Sequence, residues 1–228
     1  EEVTYETQSM EEHANVVFKP NPGPQTEFLA ASEREVLYGG SAGGGKSYAM
    51  LADPLRYMGH PQFSGLLLRH TTEELRELIF KSQELYPKIW PGIKWSERKM
   101  QWTAPSGARL WMSYLDRDED VLRYQGLAFS WIGFDELTQW GSPYAWNYMR
   151  SRLRSTAPDL PIFMRATTNP GGRGHHWVKK MFIDPSPYNR AFDATDIETT
   201  EVLRYPAGHS KAGKPLFKRR FIPARLSD

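Results

Sequence analysis

The chain has 228 residues, 39% hydrophobic and 25% charged, a balance that suits a folded domain with a sizeable core. It has no cysteine, which excludes disulfide staples, cysteine zinc sites and thiol catalysis. The net charge of +2 hides a gradient: residues 1–64 carry 4 basic and 9 acidic groups, residues 65–150 carry 11 of each, and residues 151–228 carry 14 and 7. A basic end of this kind faces either a polyanion or solvent.

Residues 1–19 read as an acidic, irregular arm, and Pro20-Asn21-Pro22-Gly23-Pro24 as a rigid turn. A short helix is expected over Glu27 to Ser32. Val36-Leu37-Tyr38, ending in glycines, reads as a buried strand, and Ser47 to Met58 as a helix. Gly65 to Arg69 is a second apolar strand. Thr71 to Tyr86 is a helix with a threonine cap, acids in its first turn and Leu75, Leu78 and Ile79 at helical spacing. Met100 to Thr103 and Arg109 to Tyr114 flank Pro105-Ser106-Gly107 as a hairpin. Trp131 to Phe134 is a third buried strand, Pro143 to Arg154 a helix, Ile162 to Ala166 a fourth strand and His175 to Phe182 a helix. The last 45 residues read as strands and loops. Strands alternating with helices predict an α/β fold with a mainly parallel central sheet flanked by helices. Apolar runs such as Gly65-Leu66-Leu67-Leu68 fall far below the ~18–20 residues that cross a membrane. The opening Glu1-Glu2 carries no basic signal-peptide region.

Gly40, Ser41, Ala42, Gly43, Gly44, Gly45, Lys46 and Ser47 fit the phosphate-loop pattern G-x-x-x-x-G-K-S/T, between a predicted strand and a predicted helix. Glycines let the backbone turn its N–H groups onto phosphate oxygens, and the helix dipole points at the same anion. Lys46 is expected on the β- and γ-phosphates of ATP and Ser47 on Mg²⁺. Such a site needs an acid on a second strand. Asp135 emerges at the C-terminal end of the Trp131 to Phe134 strand, where ligands bind in open α/β sheets, and is the expected Mg²⁺ ligand. Glu136 is placed to orient and deprotonate a water, which favours hydrolysis over transfer to a hydroxyl. The Gln25 amide, upstream of the loop, either reads the adenine edge or is an ordinary polar helix start.

Gln25, the loop 40–47, Asp135-Glu136 and Thr167-Thr168-Asn169-Pro170 occur in this order, and the run from Ala166 to Ile183 with its Asn-Pro-Gly-Gly segment resembles the large terminase subunit of tailed bacteriophages. Phe221-Ile222-Pro223-Ala224-Arg225 resembles the end of that family's ATPase domain. The resemblance implies a P-loop NTPase of the additional-strand, catalytic-glutamate (ASCE) type over residues 20–228, after the acidic arm at 1–19. It implies an ATPase that drives double-stranded DNA into a procapsid, docked on a portal protein in the host cytoplasm. A small terminase subunit is the further expected partner, and a homo-oligomeric ring, a pentamer, the expected assembly. The family's C-terminal RNase H-like nuclease domain would follow this chain, so no nuclease chemistry is expected here, and Asp184, Asp193 and Asp196 read as surface loop acids. Thr168 and Asn169 resemble the coupling motif beside the γ-phosphate. Arg123 is the expected arginine finger given to a neighbour and Arg69 a candidate within the subunit; an ion-paired role is the alternative for each. Arg173, Lys179, Lys180 and the Lys218-Arg219-Arg220 run are candidate DNA-phosphate contacts or a solvated face. Adjacent His175 and His176 lack the spacing of a helical metal pair. The rival readings are another nucleic-acid-dependent ASCE ATPase, such as a helicase-like translocase, and a nucleotide-gated binding module without turnover.

Overall fold

The structure is a computed structural model that describes residues 19–41 and 45–224. The acidic arm, apart from Lys19, therefore lies outside the described residues, as do Ala42, Gly43, Gly44 and Arg225.

The chain begins with helix α1 (Pro24–Ala30), strand β1 (Glu35–Gly40) and helix α2 (Gly45–Ala52). Strand β2 (Ser64–Arg69) and helix α3 (Thr72–Ile89) follow. Three short strands come next, β3 (Lys94–Ser96), β4 (Gln101–Thr103) and β5 (Arg109–Tyr114). Strand β6 (Trp131–Phe134), helix α4 (Tyr144–Arg150), strand β7 (Phe163–Thr168), helix α5 (His175–Val178), and strands β8 (Phe192–Asp193) and β9 (Lys218–Ala224) complete the order. They form one nine-stranded sheet, ordered β3-β4-β5-β2-β6-β7-β1-β9-β8. The six strands from β5 to β9 in that order are parallel, and β3, β4 and β8 add antiparallel edges.

β7 lies between β1, which leads into the phosphate loop, and β6, which carries Asp135 at its end. That inserted strand is the arrangement the ASCE class is named for. Period-two alternation fills both faces of the sheet. Leu67, Trp131 and Phe163 point into a core with Met50, Leu51 and the α3 residues Leu75 and Leu78. Leu66, Leu68, Ile132, Phe134, Met164 and Ala166 point into the other, with Trp146, Val178 and Phe182. Every parallel strand thus ends at one edge, where the loops that carry chemistry gather.

Three predicted helices are shorter than their apolar patterns suggest, whereas α3 runs past the expected end at Tyr86 to Ile89. α2 gives way to a 3-10 turn over Asp53–Tyr57, entered through Asp53-Pro54. α4 ends at Arg150 because the next residues take backbone bonds to Phe129, Phe129 N–H to Arg152 O at 2.9 Å and Arg154 N–H to Phe129 O at 2.8 Å. α5 opens into a wide π turn over Lys179–Ile183. α1 starts at Pro24, three residues before the expected helix start at Glu27, with proline at its first position. The threonine cap of α3 is a full capping box between Thr71 and Glu74.

The Lys218-Arg219-Arg220 run does not form a free basic patch. It is the start of β9, parallel to β1 inside the sheet. Arg219 is buried on Glu35 at 2.7 Å, Arg220 lies 3.3 Å from Glu27, and Lys218 pairs with Asp193. Among the described residues no helix is long and apolar enough to cross a membrane.

Candidate active site

At the end of β1 the chain must turn sharply into the phosphate loop. Gly40 has φ 140, and a Cβ there would lie 2.1 Å from the Ala224 carbonyl oxygen on β9, so only glycine fits. Past the loop, Lys46 and Ser47 sit in the first turn of α2. The Lys46 ammonium is buried and donates to the Ser41 carbonyl at 2.6 Å, across the mouth of the loop. Burial lowers its pKa, against the opposing pull of Asp135 and Glu136. Gln25 is buried too. Its amide donates to Gly45 O at 2.8 Å and accepts from Asn21 N–H at 2.6 Å, so it braces the loop's far end from α1.

Asp135 follows β6 directly and is buried at the sheet edge. Its Oδ2 accepts from Ser47 Oγ at 3.3 Å and from the Arg69 guanidinium, at the end of β2, at 2.7 Å. Its Oδ1 accepts the Thr167 hydroxyl. Ser47 and Asp135 together offer hard oxygen donors on one spot, the donor type magnesium takes, so the residues present fit that ion.

Glu136 takes a left-handed backbone, φ 58 and ψ 61, a conformation that costs a non-glycine residue about 1–3 kcal/mol. Its N–H donates to Thr167 Oγ1 at 3.0 Å. Its half-buried carboxylate lies 3.6 Å from Arg69, 3.4 Å from the Asn169 amide and 2.5 Å from the Gln139 amide. Burial raises its pKa; Arg69 lowers it, while Asp135 and Glu74 raise it further. A carboxylate with a raised pKa beside an anion-binding loop is a stronger base toward water.

The fold therefore brings together Lys46, Ser47, Arg69, Asp135, Glu136 and Asn169, with Gln25, Gly40, Ser41 and Gly45 framing the loop. Thr168 faces elsewhere: its hydroxyl bonds Thr138 Oγ1 at 3.1 Å. The residue on Asp135 is Thr167, because β6 and β7 pair Phe134 with Ala166, which sets Thr167 beside Asp135. Strand register identifies it; polarity alone does not separate the two threonines. Arg123 is not drawn in. It pairs with Asp120 at 3.5 Å and lies over the Tyr114 ring. Arg173 and Lys180 are exposed, Lys179 lies 3.2 Å from Asp184, and Asp196 caps its own turn at Glu198 and Thr199.

A sequence profile described as phage terminase large subunit matches residues 32–204. No curated protein matches the chain by sequence. Among solved structures, the large terminase ATPase domain of Thermus phage P74-26 is 11% identical, with a TM-score of 0.56 over 91% of this chain and 81% of that one. A variant of the same domain gives the same identity and score over 82% of its length. The large terminase of a thermophilic bacteriophage is 16% identical, with a TM-score of 0.55 over 70% of this chain. This chain covers 41% of that protein's length.

Proposed function

This chain belongs to the phage terminase large subunit family, and from that membership we propose that it is an ATP-hydrolysing motor domain that drives double-stranded DNA into a procapsid. The observation that carries the reading is one cluster at the sheet edge, where Lys46 and Ser47, on the helix after β1, meet Asp135 and Glu136, which follow β6, with β7 between the two strands.

ATP enters with its phosphates against the loop N–H groups and the N-terminus of α2. Lys46 leaves the Ser41 carbonyl for the phosphate oxygens. Ser47 and Asp135 would hold Mg²⁺, which supplies charge neutralisation at the phosphates. Glu136 orients the attacking water and takes its proton, and Asn169, already on the Glu136 carboxylate, is the group that senses the γ-phosphate. Loss of that phosphate releases Asn169 and its loop, which is the mechanical step. Gln25 positions the loop from α1 and reads the adenine once its amide is freed. Arg69 acts within the subunit and Arg123 reaches a neighbour's γ-phosphate in a homo-oligomeric ring, a pentamer on the portal protein in the host cytoplasm, with a small terminase subunit delivering the DNA.

Phosphate release measured with and without portal-bearing procapsids and double-stranded DNA tests the motor. Turnover per protomer should fall on dilution and rise with the two partners. A rate indifferent to both would contradict the motor and the donated arginine.

A further inference from the structure

The turn after β6 holds a second polar residue besides Glu136. Leu137–Gln139 is a 3-10 turn, in which side chains three apart stand on one side, so Gln139 lies beside Glu136. The turn is held on every flank. Leu137 is buried, the Thr138 carbonyl accepts Gly174 N–H at 2.7 Å, and the Trp140 indole donates to Leu115 O at 3.0 Å. Gln139 is thereby aimed in one direction, and its amide nitrogen bridges two carboxylates, Glu136 Oε2 at 2.5 Å and Glu74 Oε1 at 2.8 Å.

Glu74 is itself fixed. Its other oxygen accepts Thr71 N–H at 3.3 Å as half of the α3 capping box. A continuous line of donors and acceptors runs from the first turn of α3 through Glu74 and Gln139 to Glu136. The other two neighbours of the Glu136 carboxylate stand further off, Asn169 at 3.4 Å and Arg69 at 3.6 Å.

We infer that Gln139 is a positioning residue for hydrolysis: its side-chain amide holds the Glu136 carboxylate in place and anchors it, through Glu74, to the start of α3. Without that donor the carboxylate moves toward Arg69, its nearest opposite charge, and away from the water it must orient. The inference rests on Glu136 as the water-activating group.

Two substitutions separate this role from a structural one. Gln139→Leu keeps the side chain's bulk and removes the donor. Glu74→Gln keeps the helix cap, because glutamine also serves in a capping box. To accept from Thr71 N–H, however, its amide must turn its own N–H groups toward Gln139, which then rotates and withdraws its donor from Glu136. Both variants should lower kcat by at least about tenfold, with the KM for ATP, nucleotide affinity and melting temperature unchanged. The double variant should be no slower than Gln139→Leu alone, since both changes break one line. The side-chain amide resonances of Gln139, identified by their absence from Gln139→Leu, should shift in Glu74→Gln. Wild-type kcat in Gln139→Leu, additive losses, or unmoved amide resonances would each overturn the inference. Glu136→Gln separates the layers: if it is inactive while Gln139→Leu is normal, only the role of Gln139 fails, and if it turns over normally, the role of Glu136 fails first.

Discussion

Glu35 is an acid buried inside the sheet between two arginines, Arg150 and Arg219. Burial by itself would raise its pKa; the two guanidiniums outweigh burial and hold it at about 2, against an ordinary 4.5. The folded value lies below the unfolded one, so the contribution of Glu35 to stability is complete above pH 4.5 and is lost as pH falls toward 2. Glu35→Gln should therefore flatten the acid arm of a stability–pH curve. At neutral pH it should cost about 3–5 kcal/mol, because it strands the buried charge of Arg219. Urea unfolding across that pH range checks both effects, and an unchanged acid slope would contradict the assignment. Sequence marks Glu35 only as the acid before an apolar strand, since its partners lie 115 and 184 residues away. Pairing across the chain also hides the role of Thr167, 32 residues from Asp135, and of Gln139, whose second carboxylate, Glu74, is 65 residues away. Lys46, Asp135 and Glu136 are legible because the phosphate loop and the strand-end acid are local patterns; the groups that orient them depend on strand register and on distant partners, such as Thr167 at 31 residues from Glu136 and Glu74 at 65 from Gln139.

The elements legible in the sequence are those whose apolar run has a clear end. β1 ends in Gly39-Gly40, β6 in Asp135 and α3 begins at a capping threonine. β9 is obscured because its first three residues are all basic, and only pairing with acids elsewhere lets such a strand enter the sheet. The loop after β7 shows how elements are joined at the site. Gly174 N–H bonds Thr138 O, and a Cβ on Gly174 would lie 2.1 Å from the Trp140 carbonyl oxygen. Backbone cannot yield as a flexible side chain does, so Gly174→Ala must push the glycine-rich loop off the Glu136 turn. It should destabilise the fold by about 1–3 kcal/mol and reduce ATP turnover. Thermal melting with a parallel ATPase assay measures this, and a wild-type melting temperature would show that the loop is not seated on the turn.

Across the whole molecule, the charge gradient has a different meaning once folded. The acidic first segment supplies Glu27, Glu33, Glu35 and Asp53, and the basic last segment meets them with Arg219, Arg220 and the buried Arg165. Part of the asymmetry is thus the charge complementarity of β1, β7 and β9 and their flanks. Arg173 and Lys180 stay exposed. The fold class was readable from alternating strands and helices, while the place of β7 between β1 and β6 follows from pairing alone. The proposed motor depends on ATP binding at this sheet edge and on Glu136 activating the water that cleaves it. Nucleotide binding and phosphate release measured on the same preparations of wild type and Glu136→Gln test it most directly. ATP affinity should be unchanged and turnover reduced by about 10²-fold or more in Glu136→Gln; wild-type turnover there would overturn the role of Glu136.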